Sequence, residues 1–228
     1  IQPDQLSVGQ ALMIAYHSAV HTVKEGDTIW SIAAMNGITV EELWRNNPIL
    51  GGKSTIYPGQ TLVISYADAK QGELETTGYV YTFVDRDVVR KTLPYLTYLA
   101  IFSYGIRADG SLVIPDDEEL ISLAIEYGAK PMLVLTSLGD DGKFSTERVS
   151  AVLNNASTME TLINNIVEIM EQKGYAAINT DFEYILPDDR EAYTNFIRRL
   201  TEELHPLGKT VDVSLAPKTS SDQPGLLY

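Results

Sequence analysis

A short stretch late in the chain carries three polar side chains whose spacing could support acid–base chemistry. Residues 176–184 read Ala-Ala-Ile-Asn-Thr-Asp-Phe-Glu-Tyr, which predicts a strand. Because successive side chains of a strand point to opposite faces, Asn179, Asp181 and Glu183 share one face. An amide and two carboxylates inside a core are costly unless a function keeps them there. Repulsion between the carboxylates would raise the pKa of one of them, which is what a general acid at neutral pH requires.

The elements around this stretch must place its polar face in a protected site. From residue 78 onward, strands are predicted at 78–83, 96–104, 131–137, 176–184 and 210–216, and helices at 85–91, 116–127, 146–154, 158–173 and 188–204. This α/β alternation predicts parallel βαβ units, in either an open doubly wound sheet or a barrel. In a barrel the polar face would point inward, with Glu183 at the carboxyl edge where barrel active sites lie. A strand exposed at a sheet edge is the less favoured alternative, because a long amphipathic helix follows it.

The same stretch resembles the catalytic strand of the family 18 glycoside hydrolases, whose usual pattern is Asp-Gly-x-Asp-x-Asp-x-Glu. Similarity to that family also runs through residues 102–104, 109–112 and 214–218. The resemblance implies a partial TIM (β/α)8 barrel over residues 78–228, with about five of its strands present. When residues 215–228 are included, the resemblance is more specific: the sequence is similar to the spore-cortex-lytic N-acetylglucosaminidases of spore-forming bacteria.

The resemblance implies a role for each polar residue of the strand. Glu183 would be the general acid/base, Asp181 would orient the acetamido group of the substrate and share a proton with Glu183, and Asn179 would occupy the place of the family's inner Asp. The acetamido oxygen attacks the anomeric carbon in this family, so no carboxylate nucleophile is needed. Asn179 leaves Asp181 without one ionisable neighbour, which would alter the proton relay. Tyr79, Tyr81 and Tyr104 are candidates for stacking on a sugar ring, and Tyr104 is the best of the three because it lies at the carboxyl end of a strand.

The beginning of the chain contains a broken repeat. Residues 6–14 align with residues 56–64 at a constant offset of 50 positions. Residues 21–65 read as strand, helix, helix and strand, and they resemble a complete LysM module of βααβ architecture. Residues 1–14 resemble the tail of a second, truncated LysM copy. The polar segment 66–77 is predicted to be a linker.

LysM modules bind glycans that contain N-acetylglucosamine, such as peptidoglycan or chitin. In that family the glycan groove lies between the first strand–helix loop and the loop after the second helix. The corresponding positions here are Gly26, Asp27, Thr28, Ile29, Asn47, Ile49 and Leu50. Backbone groups at the helix start could bond acetamido groups, and exposed side chains of Ile49 and Leu50 could contact sugar faces. Asp27 or Thr28 would also cap the first helix.

The composition disfavours several other kinds of site. The 228 residues include no Cys and three His, which disfavours thiolate metal sites, Cys nucleophiles and His-based zinc sites, so we expect neither a metal nor a cofactor. The net charge of −14 disfavours nucleic acid and anionic lipid as partners. No apolar run is long enough to predict a membrane span, and no signal peptide is visible in the sequence.

These observations predict a peptidoglycan hydrolase of the spore cortex, anchored by its LysM module and acting in the spore coat, the cortex or the cell wall. The alternatives are a non-catalytic, lectin-like spore-coat protein that binds glycan, and a chitinase. A closed eight-stranded barrel takes about 250 residues, so we expect this polypeptide alone to be poorly stable and inactive. The sixth-strand Tyr that holds the acetamido carbonyl in the family has no counterpart in the sequence.

Overall fold

The chain divides into two compact units, which are described separately. The computed structural model describes residues 15–67, 72–183 and 185–215. One unit extends from Ile1 to Leu74 and the other from Glu75 to Tyr228. The predicted LysM remnant at residues 1–14 lies outside the described residues.

The first unit has two helices between two antiparallel strands, which is the predicted βααβ order. Its elements are β1 His17–Thr22, α1 Ile29–Met35, α2 Val40–Asn46 and β2 Thr61–Tyr66, with a 3-10 turn at Pro48–Leu50. β1 pairs with β2 in antiparallel register. Ile29, Ile32 and Leu43 from the two helices are fully buried together with Leu62 of β2. This small core is what holds the two loops of the unit in place.

Threonine side chains start both helices of the first unit. Thr28 accepts a hydrogen bond from the backbone N–H of Ser31, and the Ser31 hydroxyl accepts one from the backbone N–H of Thr28, which completes a capping box. Thr39 accepts a hydrogen bond from the backbone N–H of Glu42. Of the two residues that could cap the first helix, Thr28 does so and Asp27 does not.

The second unit is a parallel sheet in which strands alternate with helices. Its elements are β3 Thr77–Tyr81, α3 Arg86–Thr92, β4 Tyr98–Ile106, β5 Leu112–Val113, α4 Glu118–Glu126, β6 Lys130–Thr136, α5 Thr146–Leu153, α6 Ala156–Lys173, β7 Ala177–Asp181, α7 Arg190–Leu204 and β8 Thr210–Val213. The sheet order is β3-β4-β6-β7-β8, all parallel, and β5 pairs antiparallel with β4. The parallel strands are added in chain order with no reversal. This order is that of a TIM barrel and not of a doubly wound sheet.

The two faces of the sheet carry different side chains. One face, which we call the interior face, carries a buried cluster formed by Tyr98, Ala100, Met132, Val134 and Ala177, with Phe102 packed against it. The alternate residues point to the outer face, where the Thr180 hydroxyl lies 3.2 Å from the Tyr193 hydroxyl of α7. An apolar interior layer and a helix-covered outer face are typical of a parallel barrel wall.

A bulge near the end of β4 changes which side chains face the interior. The pairing between β4 and β6 shifts between Ile101 and Tyr104, so that two residues of β4 stand opposite one residue of β6. The peptide bond between Phe102 and Ser103 lies within this bulge and is cis. The Ser103 hydroxyl lies 3.1 Å from the Thr136 hydroxyl, whereas Tyr104 is turned to the outer face.

Candidate active site

The polar row of β7 lies on the interior face and becomes more exposed toward the carboxyl edge of the sheet. Asn179 is 4% exposed, Asp181 is half-buried and Glu183, just beyond the strand, is exposed. On the opposite face Ile178 is fully buried, and the ring of Phe182 stacks on Phe196 of α7. The predicted division of faces is confirmed for residues 178–182. Tyr184 lies outside the described residues.

Hydrogen bonds from the end of the neighbouring strand β8 and from the more distant strand β3 hold Asn179. Its Oδ1 accepts a bond of 3.0 Å from the Ser214 hydroxyl, which directly follows β8, and one of 3.3 Å from the Tyr79 hydroxyl of β3. The amide is therefore fixed by donors from both sides of the interior face. Tyr79 is tied to this cluster through its hydroxyl although its side chain is largely exposed.

Asp181 has a raised pKa, but the cause differs from the one expected. Burial raises the pKa of this carboxyl, and a hydrogen bond from Ser214 partly opposes the rise. The sequence suggested repulsion by a second carboxylate as the cause. In the structure the cause of the raised pKa is instead the partial burial of the Asp181 carboxyl at the end of β7. A carboxyl held in this way keeps a proton more readily than one in water.

Tyr104 is not part of this site, and the prediction that it stacks on a sugar ring is wrong. The bulge in β4 adds one residue, so Tyr104 points to the outer face instead of the interior. Its side chain is fully buried, its hydroxyl donates to Asp117 at 2.5 Å, and its ring packs edge-on against Tyr175. No sugar could reach a ring enclosed in this way.

The loops of the first unit expose only some of the predicted groove residues. Ile49 is 88% exposed, and Gly26 and Thr28 are also exposed. Leu50 is only 7% exposed, so its expected exposure is wrong, because it closes the 3-10 turn against the core. The side chain of Ile29 is fully buried in α1, and only its backbone faces the loop.

Two polar residues of the same loops have structural partners. Asn47 is buried: its amide group donates to the carbonyls of Leu43 and Val63, and its Oδ1 accepts from the Val63 N–H. The Asn47 side chain therefore joins α2 to β2 and is not free to meet a ligand. Asp27 accepts bonds of 2.8 Å from the Lys24 N–H and from His21 Nε2, and the His21 bond followed by the backbone bond lowers the pKa of Asp27.

Comparison with known proteins places both units in families. The model of the LysM domain matches residues 21–65, and the model of the glycosyl hydrolases family 18 matches residues 63–226. The chain belongs to glycosyl hydrolase family 18. The family 18 fold is the α/β, TIM-barrel-like one that the resemblance implied, preceded by a LysM domain.

Relatives of this family 18 chain include enzymes named for spore cortex lysis. The cortical fragment-lytic enzyme of Bacillus subtilis (strain 168) is 36% identical over 92% of this chain and 60% of its own length. The crystal structure of the spore cortex-lytic enzyme SleL of Bacillus megaterium QM B1551 is 33% identical, with a TM-score of 0.67 over 97% of this chain and 52% of that one. The SleL structure from Bacillus cereus has a TM-score of 0.63 at 28% identity, covering 91% of this chain and 60% of that one. The family 18 chain thus spans about half to three fifths of the length of these relatives.

Sequence reasoning missed three contributors to the interior of the family 18 unit. Asp212 lies in β8, whose register places it directly beside Asn179. Ser214 lies two residues later, just beyond the strand, and its hydroxyl is bonded to Asn179. Thr136 of β6 stands beside Asp181 in register. The period of two in residues 210–214 is the signal that could have found Asp212 and Ser214.

In the described part of the chain, no helix is long and apolar enough to span a membrane.

Proposed function

We propose that this protein is a peptidoglycan hydrolase that cleaves β-linked N-acetylglucosamine bonds of the spore cortex with retention of configuration. The single observation that carries the proposal is the pair Asn179 and Asp181 on the interior face of a family 18 sheet, with the exposed Glu183 just beyond the strand at the carboxyl edge. The cortex-lytic relatives support peptidoglycan as the polymer. The LysM match supports a glycan that contains N-acetylglucosamine.

Glu183 is proposed as the general acid/base because it is the exposed carboxyl at the carboxyl edge. It donates a proton to the glycosidic oxygen while the acetamido oxygen of the same sugar attacks the anomeric carbon and the glycosidic bond breaks. Water then attacks that carbon, Glu183 takes up the proton, and the acetamido group is released. Two displacements at one carbon retain its configuration.

Asp181 is proposed to orient the acetamido group and stabilise the charge that develops on it. Its ionised carboxylate accepts the acetamido N–H and lies next to the ring nitrogen of the cyclic intermediate, where positive charge collects. Its half-buried position strengthens this interaction, because less water screens it. Asn179 holds its place below Asp181 through Tyr79 and Ser214.

The LysM unit is proposed to hold the enzyme on its polymer. The exposed part of its predicted groove is Gly26, Thr28 and Ile49, to which the buried Ile29 adds only its backbone. Residues 21–65 would be the binding module, 66–77 the linker and 78–228 the barrel portion. We place the activity in the cortex, the coat or the cell wall of the spore-forming cell.

The test compares two Glu→Gln variants of the full-length protein. Glu183→Gln should lower the release of reducing ends from purified cortex glycan by about 10²- to 10⁴-fold, the contribution of a general acid. Glu203→Gln is the matched control, because Glu203 is exposed near the far end of α7 and should leave the rate unchanged. Glycan pull-down should be equal for both variants.

The products distinguish the remaining alternatives. Mass spectrometry after digestion of cortex glycan and of chitin oligomers shows which bond is cut and on which sugar. Faster cleavage of chitin would identify a chitinase. Glycan binding with no cleavage by the wild-type protein would identify a lectin-like relative and would refute the catalytic assignment of Glu183.

A further inference from the structure

His21 joins the first strand of the LysM unit to the turn that carries part of the predicted glycan groove. It lies near the end of β1, and its Nε2 atom is 2.8 Å from Oδ2 of Asp27. The side chains of both residues are only 14% exposed. The bond from His21, followed by the Lys24 backbone bond, holds the pKa of Asp27 below its ordinary value. The ionised carboxylate can only accept, so the His21 Nε2 carries the hydrogen of this bond.

Asp27 also closes the turn at residues 24–27. The Lys24 N–H donates to Asp27 Oδ2 at 2.8 Å, and the Asp27 N–H donates to the Lys24 carbonyl at 3.1 Å. These two bonds fix residue 27 relative to residue 24, and Gly26 between them has a φ of +87°. The Asp27 side chain does not cap α1, because Thr28 does so. The carboxylate therefore serves the turn and its connection to β1.

The backbone of this turn is open to a ligand. Gly26 and Thr28, on either side of Asp27, are both exposed. Apart from the chain neighbours of Gly26, no described residue has a heavy atom within 4 Å of the place where a Gly26 Cβ would stand. A sugar chain can therefore approach the peptide groups of the turn closely. How those groups are aimed depends on how the turn is held to the rest of the LysM unit.

The turn is attached to the LysM unit on both sides and at Asp27. On its amino side, Val23 makes two backbone hydrogen bonds of 2.8 Å with residues 59–60. On its carboxyl side, the fully buried Ile29 begins α1. Among the described residues, the bond from His21 is the one hydrogen bond that joins the Asp27 side chain to β1. Loss of this bond would leave the turn attached only through its two ends.

We propose that His21 is a positioning residue for glycan binding by the LysM unit: from β1 it holds the turn at residues 24–27, which presents backbone groups to the glycan. The inference rests on the proposed function, since it concerns the unit that is proposed to hold the enzyme on its polymer. His21 does not touch the sugar. It raises the fraction of molecules in which the turn is ready to bind, and the apparent Kd of a ligand rises as that fraction falls.

The test measures binding of the full-length protein to purified, insoluble cortex glycan. Every protein compared also carries Glu183→Gln, so that the polymer is not degraded. His21→Leu removes the donor, and its Kd should be about 5-fold higher, the ratio expected for the loss of one hydrogen bond. His21→Gln can donate to Asp27 through its amide group and should bind as tightly as the protein with His21. His17→Leu is the matched control, because His17 is exposed on the same strand and its replacement should leave the Kd unchanged.

A second readout does not depend on glycan. In protein labelled with ¹⁵N-lysine, hydrogen exchange of the Lys24 amide reports how firmly its N–H is held by Asp27. This exchange should be about 5-fold faster in His21→Leu. It should be unchanged in His21→Gln and in His17→Leu.

The outcomes separate positioning from simple packing. Equal binding by His21→Leu and by the protein with His21 would overturn the proposal. Equal losses of binding in His21→Leu and His21→Gln, with a lower melting temperature in both, would also overturn it, because a residue that only packs would behave in that way. If the protein with His21 binds no glycan while the Lys24 exchange responds as expected, the proposed LysM function fails and the positioning of the turn by His21 is supported.

Discussion

Asp117 is the buried carboxylate on which the outer side of the family 18 sheet depends, and its replacement by Asn should be strongly destabilising. It is fully buried beside the start of α4. Its Oδ2 accepts from the hydroxyls of Tyr104 and Tyr175, at 2.5 and 2.6 Å, and its Oδ1 accepts from the Lys173 ammonium. Three donors from β4, α6 and the segment before β7 thus meet on one side chain.

The size of the loss follows from these contacts. In Asp117→Asn the new side-chain amide would keep one acceptor oxygen but would turn an NH2 group toward donors, and Lys173 would lose its counter-charge. Breaking a buried ion pair by removing one partner costs about 3–5 kcal/mol. For a unit of this size each kcal/mol corresponds to about 2–4 °C in the melting temperature. Asp117→Asn should therefore lower the Tm by about 6–20 °C.

Thermal and urea unfolding, followed by circular dichroism at pH 7, measure the effect in the full-length protein. Asp116→Asn is the control, because Asp116 is exposed and adjacent, and its replacement should change stability by no more than about 0.5 kcal/mol. A double-mutant cycle with Lys173→Met should show a coupling of at least about 1 kcal/mol, because the two residues are in contact. Equal stability of the two Asp→Asn variants, or additive effects in the cycle, would refute the reasoning.

Three further outcomes are expected. Leu50→Ala should cost the LysM unit about 2–3 kcal/mol of stability, whereas Ile49→Ser should leave the Tm unchanged and weaken binding in a glycan pull-down. Burial raises the pKa of Asp181, so the ionised carboxylate destabilises the fold at pH values above that pKa. Asp181→Asn should therefore raise the Tm at pH 7. The gain should disappear near pH 3, which lies below the pKa of about 3.9 of an Asp in the unfolded chain. Burial, followed by the Asp117 bond, raises the pKa of Tyr104, and burial likewise raises that of Tyr175. Absorbance at alkaline pH should therefore show both ionising only as the family 18 unit unfolds, and stability should fall above pH 10, near the pKa of an unfolded Tyr.

The sequence predicted the order of the parallel strands and of the helices because their periodicities are strong, whereas the two-residue strand β5 was not predicted. The alternation along residues 178–182 correctly gave the face of each side chain, since β7 runs without irregularity from Ala177 to Asp181 and Phe182 packs on α7. The same reasoning failed for Tyr104. Alternation through β4 assigns it to the interior, and the bulge at Phe102 and Ser103, which has no local sequence signature, reverses it.

Tertiary partners also decided which LysM residues are exposed. Ile49 and Leu50 are adjacent and similar in the sequence, yet one is exposed and the other buried, because the 3-10 turn directs successive side chains differently. Asn47 could not be distinguished from a ligand-binding amide by sequence alone. Its role became visible only when the Val63 backbone was found within hydrogen-bond distance of both ends of its amide.

The strand direction explains how one sheet supports both stability and chemistry. All five strands of the wall run in parallel, so the amino-terminal halves of β4, β6 and β7 meet in the apolar cluster around Met132 and Ala177, and polar groups collect at the carboxyl edge. Ser103 lies on the interior side of the bulge and adds its hydroxyl to those polar groups. The next residue, Tyr104, points to the outer face and donates its hydroxyl to Asp117. Because adjacent residues of one strand serve the two sides, a change at the carboxyl edge can alter the chemistry without disturbing the Asp117 network. This separation predicts that the melting temperature and the catalytic rate respond to different sets of substitutions.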